Sequence, residues 1–266
     1  MISRKTIVLL LLLACTLFRA AYFFSVMPGP CSKLHLNMET DMAFFDSWAK
    51  NITSGDYLTE EPFHPFHEWH KSVAKRLFKS RPELEHELQK KYPGIPAGKA
   101  LWNRWYGGTR FHQEPLYPYL VAAVYSIFGA CTNAVFVLQM LAGTITVMIV
   151  YLLSLRLFGK TAALAAGCIA ALSPGLLLYE AALLRTSLIS MCALSVIYLA
   201  TLAIEKQKPM LWFIVGAVLS LAVLLKSVFL PFAICAVFFI PVGRHTSRGL
   251  KFRSFAAYFS ALALFL

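Results

Sequence analysis

The chain has 266 residues, of which 58% are hydrophobic and 14% charged, and it carries a formal net charge of +12. A mean hydropathy of +0.63, with several apolar runs near the length that crosses about 30 Å of hydrocarbon, excludes an ordinary soluble domain. The basic excess does not point to nucleic acid. Eleven of the thirteen acidic residues lie between 28 and 133, where twelve Lys and Arg nearly balance them, so the excess falls in short loops, as cytoplasmic connections carry it.

Residues 1–27 hold Arg4 and Lys5, the apolar run Ile7 to Phe18, then Arg19, then Ala20 to Met27. Leu12-Leu13-Ala14-Cys15 resembles a lipoprotein cleavage site, but the sequence continues apolar, and the expectation is an uncleaved first span with its N-terminus inside. Arg19 either snorkels to the headgroups, the reading adopted, or faces a polar cavity. The six cysteines have no metal-type spacing, and Cys15, Cys168, Cys192 and Cys235 fall in apolar runs. Cys31 and Cys131 lie in or beside the polar loop that follows, where pairing is open.

Residues 28–133 form that loop, long enough to be exempt from the positive-inside count and therefore free to be extracytoplasmic. It opens with E-T-D-M-A-F-F-D-S-W-A-K-N-I-T-S-G-D-Y, residues 39–57. Phe44, Phe45, Trp48, Ala49 and Ile52 recur at helical spacing, and Asp41 and Asp46 stand toward the helix start, where the positive end of the dipole favours carboxylates. Two readings stay open: a helix on the membrane surface holding an acid at the water boundary, or a helix of the loop's own core with Asp41 a cap. Residues 68–91 read as a charged, solvated helix broken at Pro82. His64, His67, His70 and Glu68 are a candidate metal cluster, but Pro65 disrupts the helix that would align them. Asn51-Ile52-Thr53 is a formal glycosylation sequon.

At 102–120, W-N-R-W-Y-G-G-T-R-F-H-Q-E-P-L-Y-P-Y-L combines a glycine turn with interface aromatics, which returns the chain to the membrane with Glu114 just outside it. Leu116 to Phe128 is apolar, but thirteen residues rise only about 20 Å as a helix, so an interfacial or re-entrant helix is expected. The region 134–266 then reads as a bundle: 134–156 inward, 161–179 outward, 186–204 inward, and 211–242 as two limbs broken around Lys226 and Pro231. Arg156, Lys160, Lys206, Lys208, Arg244, Arg248, Lys251 and Arg253 then all fall in the cytoplasm. An all-α polytopic protein of about seven spans follows. In this topology Asp41, Glu114, the Glu180 to Arg185 turn and Lys226 share the outer face, where cations beside carboxylates suit a substrate with an anionic head and a greasy tail. The bland reading is that Arg185 and Lys226 are loop-end residues pairing with Glu180.

The stretch from Asp41 to Tyr57, F-H-Q-E-P-L-Y-P-Y-L-V-A-A-V-Y-S-I-F-G, L-R-L-F-G-K, A-L-S-P-G-L-L-L-Y-E-A-A-L-L and L-A-V-L-L-K-S-V-F-L-P resemble, in order and spacing, the polytopic GT-C glycosyltransferases. These include protein O-mannosyltransferases and aminoarabinose transferases. The resemblance covers nearly the whole chain and implies a polyprenyl-phosphate sugar donor and transfer to an acceptor hydroxyl of a glycan, lipid or protein. The chemistry would lie on the extracytoplasmic face of a bacterial inner membrane. It places the catalytic acid on Asp41 and a donor-phosphate contact on Lys226; Arg185, Gln113 and Glu114 complete the expected substrate-binding set. Glu114 either orients the acceptor or holds a divalent cation; no other cofactor is implied.

Three departures accompany the resemblance. Met42 stands where many relatives have Glu, Leu184-Arg185-Thr186 stands where some carry a further acid, and the sequence given stops at Leu266, as expected of an N-terminal seven-span module. Two readings from other classes remain: a lipid or glycolipid transporter, for which matching broken halves are not evident, and a non-catalytic membrane assembly subunit.

Overall fold

A computed structural model describes residues 4–242 and 247–266. All regular structure among them is helical: α1 (Arg4–Val26), α2 (Asp41–Thr53), α3 (Glu68–Ser80), α4 (Pro82–Lys91), α5 (Ala97–Trp105), α6 (Leu116–Phe128) and α7 (Thr132–Phe158) come first. Then follow α8 (Lys160–Ala171), α9 (Pro174–Glu180), α10 (Thr186–Lys206), α11 (Pro209–Leu225), α12 (Leu230–Ala236) and α13 (Arg248–Phe265), with short 3₁₀ turns at Pro30–Leu36, Ser227–Phe229 and Val237–Val242. Among the described residues, Thr6–Val26, Thr132–Phe158 and Thr186–Lys206 are long and apolar enough to cross a membrane, and α8 with α9, bent by 47°, makes a fourth if read as one span. The described residues are all-helical in their regular structure, and the chain is an integral membrane protein. Arg244, expected in a cytoplasmic loop, lies outside the described residues.

The breaks follow from backbone chemistry. The run expected as one span over 161–179 divides at Leu172 and Ser173, because Pro174 lacks an amide hydrogen and disfavours α backbone in the residue before it; Ser173 takes φ −62, ψ 115. Pro82 likewise leaves Arg81 at φ −139, ψ 74 between α3 and α4. After α11 the interruption falls on Lys226 (φ −160, ψ 114). Pro231, also expected at that break, instead sits in the first turn of α12, where a missing amide has no partner to lose.

The chain divides into two compact units, residues 1–32 with 132–266, and residues 33–131. In the first, α7 packs on α1, α8 and α10, and α11 packs on α10 and α13. Close approach depends on small residues, as expected where apolar lipid removes the hydrophobic drive between helices. A Cβ at Gly216 would lie 2.7 Å from the Tyr258 carbonyl oxygen and 2.9 Å from Ala261 Cβ. Trp212, Val215, Leu219, Ala233, Ile240 and Tyr258 fill the core beside it, and the Tyr258 hydroxyl donates to Ala233 O at 2.6 Å.

In the second unit α2 packs on α6, while α3, α4 and α5 pack on one another around Ala74, Phe78, Leu88 and Leu101. The apolar stripe of α2, Phe44, Phe45, Trp48, Ala49 and Ile52, is wholly buried. Its rings meet Phe63, Phe111, His112 and Tyr117, each large apolar side chain contributing about 1.5–3 kcal/mol by burial. The stripe thus serves the core of this unit.

Candidate functional site

Asp41 is the first residue of α2 and is exposed. It does not cap the helix. Thr40 does so, with extended backbone and its Oγ1 accepting the Ala43 amide at 3.2 Å. The Asp41 carboxylate is therefore not committed to the cap, while its position in the first turn keeps it near the positive end of the helix dipole. Asp46, read with Asp41 as a helix-start acid, lies beyond the first turn and is buried. It pairs with Lys50 Nζ at 2.6 Å and accepts from the Tyr125 hydroxyl at 2.6 Å, which joins α2 to α6.

Gln113 and Glu114 lie half-buried in the non-helical stretch before α6. Gly107 and Gly108, with φ of 90° and 75°, turn the chain into that stretch in a conformation that L side chains rarely adopt. His112, adjacent to Gln113, stands edge-on to Phe44 and Tyr106. Burial and the neighbouring His64 hold its pKa below the usual histidine value, and the Asp41 charge pulls it back up. The charge of Asp41 thus acts on the His112 ring. No sequence signal singled out His112.

The histidines of the candidate metal cluster are engaged by protein groups. His64 Nε2 bonds Asn103 Oδ1 at 2.8 Å, and His70 bonds the His67 amide at 2.9 Å through Nδ1 and the Tyr106 hydroxyl at 3.1 Å through Nε2. His67 faces Glu39 at 3.3 Å. Among the described residues no three His, Cys, Asp or Glu side chains are grouped so as to hold a metal ion. Cys131 is a free thiol.

The helix bundle holds the other expected site residues. Lys226 is exposed and occupies the break between α11 and the 3₁₀ turn; its amide donates to Ala222 O at 2.8 Å and its carbonyl accepts from Phe229 at 3.1 Å. Arg185 stands half-buried just before α10.

Two expectations are corrected. Arg19 does not snorkel: it is 1% exposed, its Nη2 lies 2.8 Å from Glu180 Oε1, and its Nη1 donates to Cys15 Sγ. Glu180 is correspondingly not a surface-turn acid partnering Lys226 or Arg185. It is 1% exposed and spent on Arg19, because a carboxylate drawn into an apolar bundle needs a paired, hydrogen-bonding cation.

The first unit is a bundle of apolar helices with charged side chains at their breaks, and the second carries an exposed acid at a helix start. Residues 112–266 match the model of the dolichyl-phosphate-mannose-protein mannosyltransferase family, and the chain belongs to that family. The membership implies glycosyltransferase activity of the GT-C type, with a lipid-linked sugar donor and an acceptor. Gln113, Glu114, Arg185 and Lys226 fall inside the matched stretch; Asp41 precedes it. No curated protein and no solved structure matches the chain significantly.

Proposed function

We propose that this protein moves a sugar from a polyprenyl-phosphate donor to an acceptor hydroxyl on a glycan, lipid or protein, with inversion, on the extracytoplasmic face of a bacterial inner membrane. Its N-terminus is cytoplasmic, about seven segments cross the bilayer, and residues 28–133 form the outer loop.

In the reaction the acceptor oxygen attacks the anomeric carbon. The bond from that carbon to the phosphate oxygen breaks with its electron pair staying on the phosphate, and the hydroxyl proton passes to a base. Lipid phosphate is a good leaving group, so no strong acid is needed. Asp41 is the base, a role worth about 10²- to 10⁴-fold. Lys226 and Arg185 neutralise charge developing on the departing phosphate. Gln113 binds substrate beside Glu114, which either orients the acceptor or holds a divalent cation. A single displacement inverts the anomeric centre.

The observation that carries this reading is Lys226. Inside the family-matched stretch, an otherwise apolar run from Pro209 to Val242 is interrupted where an exposed lysine sits in extended backbone. Cations at helix breaks in membrane proteins mark substrate and ion sites. Transfer from a polyprenyl-phosphate sugar, measured in membranes, tests it: Lys226→Ala is expected to lower kcat/KM for the donor on the order of 10²-fold, with Lys226→Arg recovering part of the loss. Unchanged donor kinetics in Lys226→Ala would remove the lysine from the site.

A further inference from the structure

The turn 181–185 is irregular backbone within the helix bundle, with Ala181, Ala182 and Leu183 buried. Where no water reaches, such backbone must find its hydrogen-bond partners in protein. Gln139 of α7 supplies them, its Nε2 donating to Glu180 O at 3.0 Å and to Ala182 O at 2.7 Å. One helical turn further along α7, Gly143 makes room for the Glu180 side chain: a Cβ there would overlap the carboxylate. The same carboxylate is drawn toward α1 by Arg19, 161 residues earlier in the chain.

Stability does not account for this arrangement. A buried ion pair contributes little beyond what apolar residues of the same volume would. This one also leaves Glu180 Oε2 and Arg19 Nε buried without a hydrogen-bond partner. What the pair and the amide do supply is direction: groups from α1 and α7 hold the entry to the turn, at Glu180 and Ala182, and the turn ends at Arg185.

We propose that Arg19, Gln139, Gly143 and Glu180 are positioning residues that set the 181–185 turn and thereby aim Arg185 at the donor phosphate. The inference rests on the phosphate-binding role proposed above for Arg185.

The test is a double-mutant cycle in the full-length protein, reading kcat/KM for a polyprenyl-phosphate sugar and, separately, KM for the acceptor. Glu180→Gln and Arg185→Ala are measured alone and together. Gln139→Met, which keeps the side-chain volume but loses the amide, serves as a milder second route should Glu180→Gln fold poorly. The expected result is a loss on the order of tenfold in donor kcat/KM for Glu180→Gln and for Gln139→Met, with acceptor KM unchanged. Arg185→Ala is expected to lose at least as much, and combining it with either variant to lose little more, because groups acting as one unit are not additive.

If Arg185→Ala lowers donor kcat/KM while the other two leave it intact, or multiply independently with it, the positioning inference is wrong and the phosphate role stands. If Arg185→Ala itself leaves donor kinetics untouched, the phosphate role proposed for Arg185 is what fails, and the inference goes with it.

Discussion

The Oγ1 of Thr40 accepts the Ala43 amide at 3.2 Å, and this bond separates two tasks that adjacent polar residues otherwise blur. Thr40 caps the start of the helix; Asp41 keeps its carboxylate exposed beside the cap. Thr40→Ala is accordingly expected to reduce the stability of the protein by about 1 kcal/mol, read as a lower thermal midpoint in detergent. Transfer activity per folded molecule should stay within about twofold, on the order of what a lost cap without a lost catalytic group leaves. A loss as large as that expected for Asp41 itself would place Thr40 in the chemistry.

The bond from the Tyr125 hydroxyl to Asp46 makes a sharper stability prediction. Tyr125→Phe leaves a buried carboxylate with one donor fewer, an omission that costs about 1.5–3 kcal/mol when the acceptor is charged. Lys50 still pairs with Asp46, so the expected value lies at the low end. Denaturation of wild type and Tyr125→Phe in the same detergent measures it, and equal stabilities would mean that Asp46 is adequately satisfied by Lys50 alone.

Gly216 sets the spacing of α11 and α13. Its hypothetical Cβ meets backbone, the Tyr258 carbonyl at 2.7 Å, and backbone cannot swing aside as a side chain does. Gly216→Ala should destabilise the bundle by about 1–3 kcal/mol through overpacking. The opposite result, stabilisation from improved helix propensity, would show that α13 shifts freely. Limited proteolysis distinguishes the two by the protection of α13.

Acidification should loosen the loop unit. His70 is buried, and burial first, then repulsion from His67, His64 and His112, pushes its pKa down to about 4. The unfolded chain takes up the proton near pH 6.5, so between roughly pH 6.5 and 4 the unfolded state binds more protons than the folded one. The stability associated with neutral His70 is therefore complete above the unfolded value and declines as pH falls through that window. Thermal midpoints from pH 7 to pH 4 should fall less steeply in His70→Asn than in wild type; parallel profiles would assign the acid sensitivity to other groups.

Local patterns in the sequence anticipated local structure well. The α2 stripe, the division at Pro82, the thirteen-residue helix Leu116–Phe128 and the interruption at Lys226 all appear where periodicity, proline or a lone charge placed them. The break before Pro174 was equally legible from the proline, but the apolar composition of 161–179 suggested a continuous span. What periodicity cannot reveal is partnership across the chain. Arg19 and Glu180 stand 161 residues apart, and Arg19 by itself looks like any cation near a helix end. Gly143 gains its meaning only from the carboxylate that packs against it. The span count already drew attention to Asp41, Glu114, Arg185 and Lys226, but their individual roles come from the resemblance: an exposed aspartate at a helix start has the same local signature whether it acts as a base or merely favours the dipole.

The most direct test of the account is release of free polyprenyl phosphate from a panel of polyprenyl-phosphate sugars, with the full-length wild type beside Asp41→Asn and acceptor present. Wild type is expected to release it with matching sugar on the acceptor, and Asp41→Asn to lose about 10²- to 10⁴-fold at equal expression and thermal stability. Near-normal release by Asp41→Asn would contradict the assignment of the base. If wild type released nothing from any donor while another member of the family did so under the same conditions, the claim that this protein is a polyprenyl-phosphate-dependent transferase would fall.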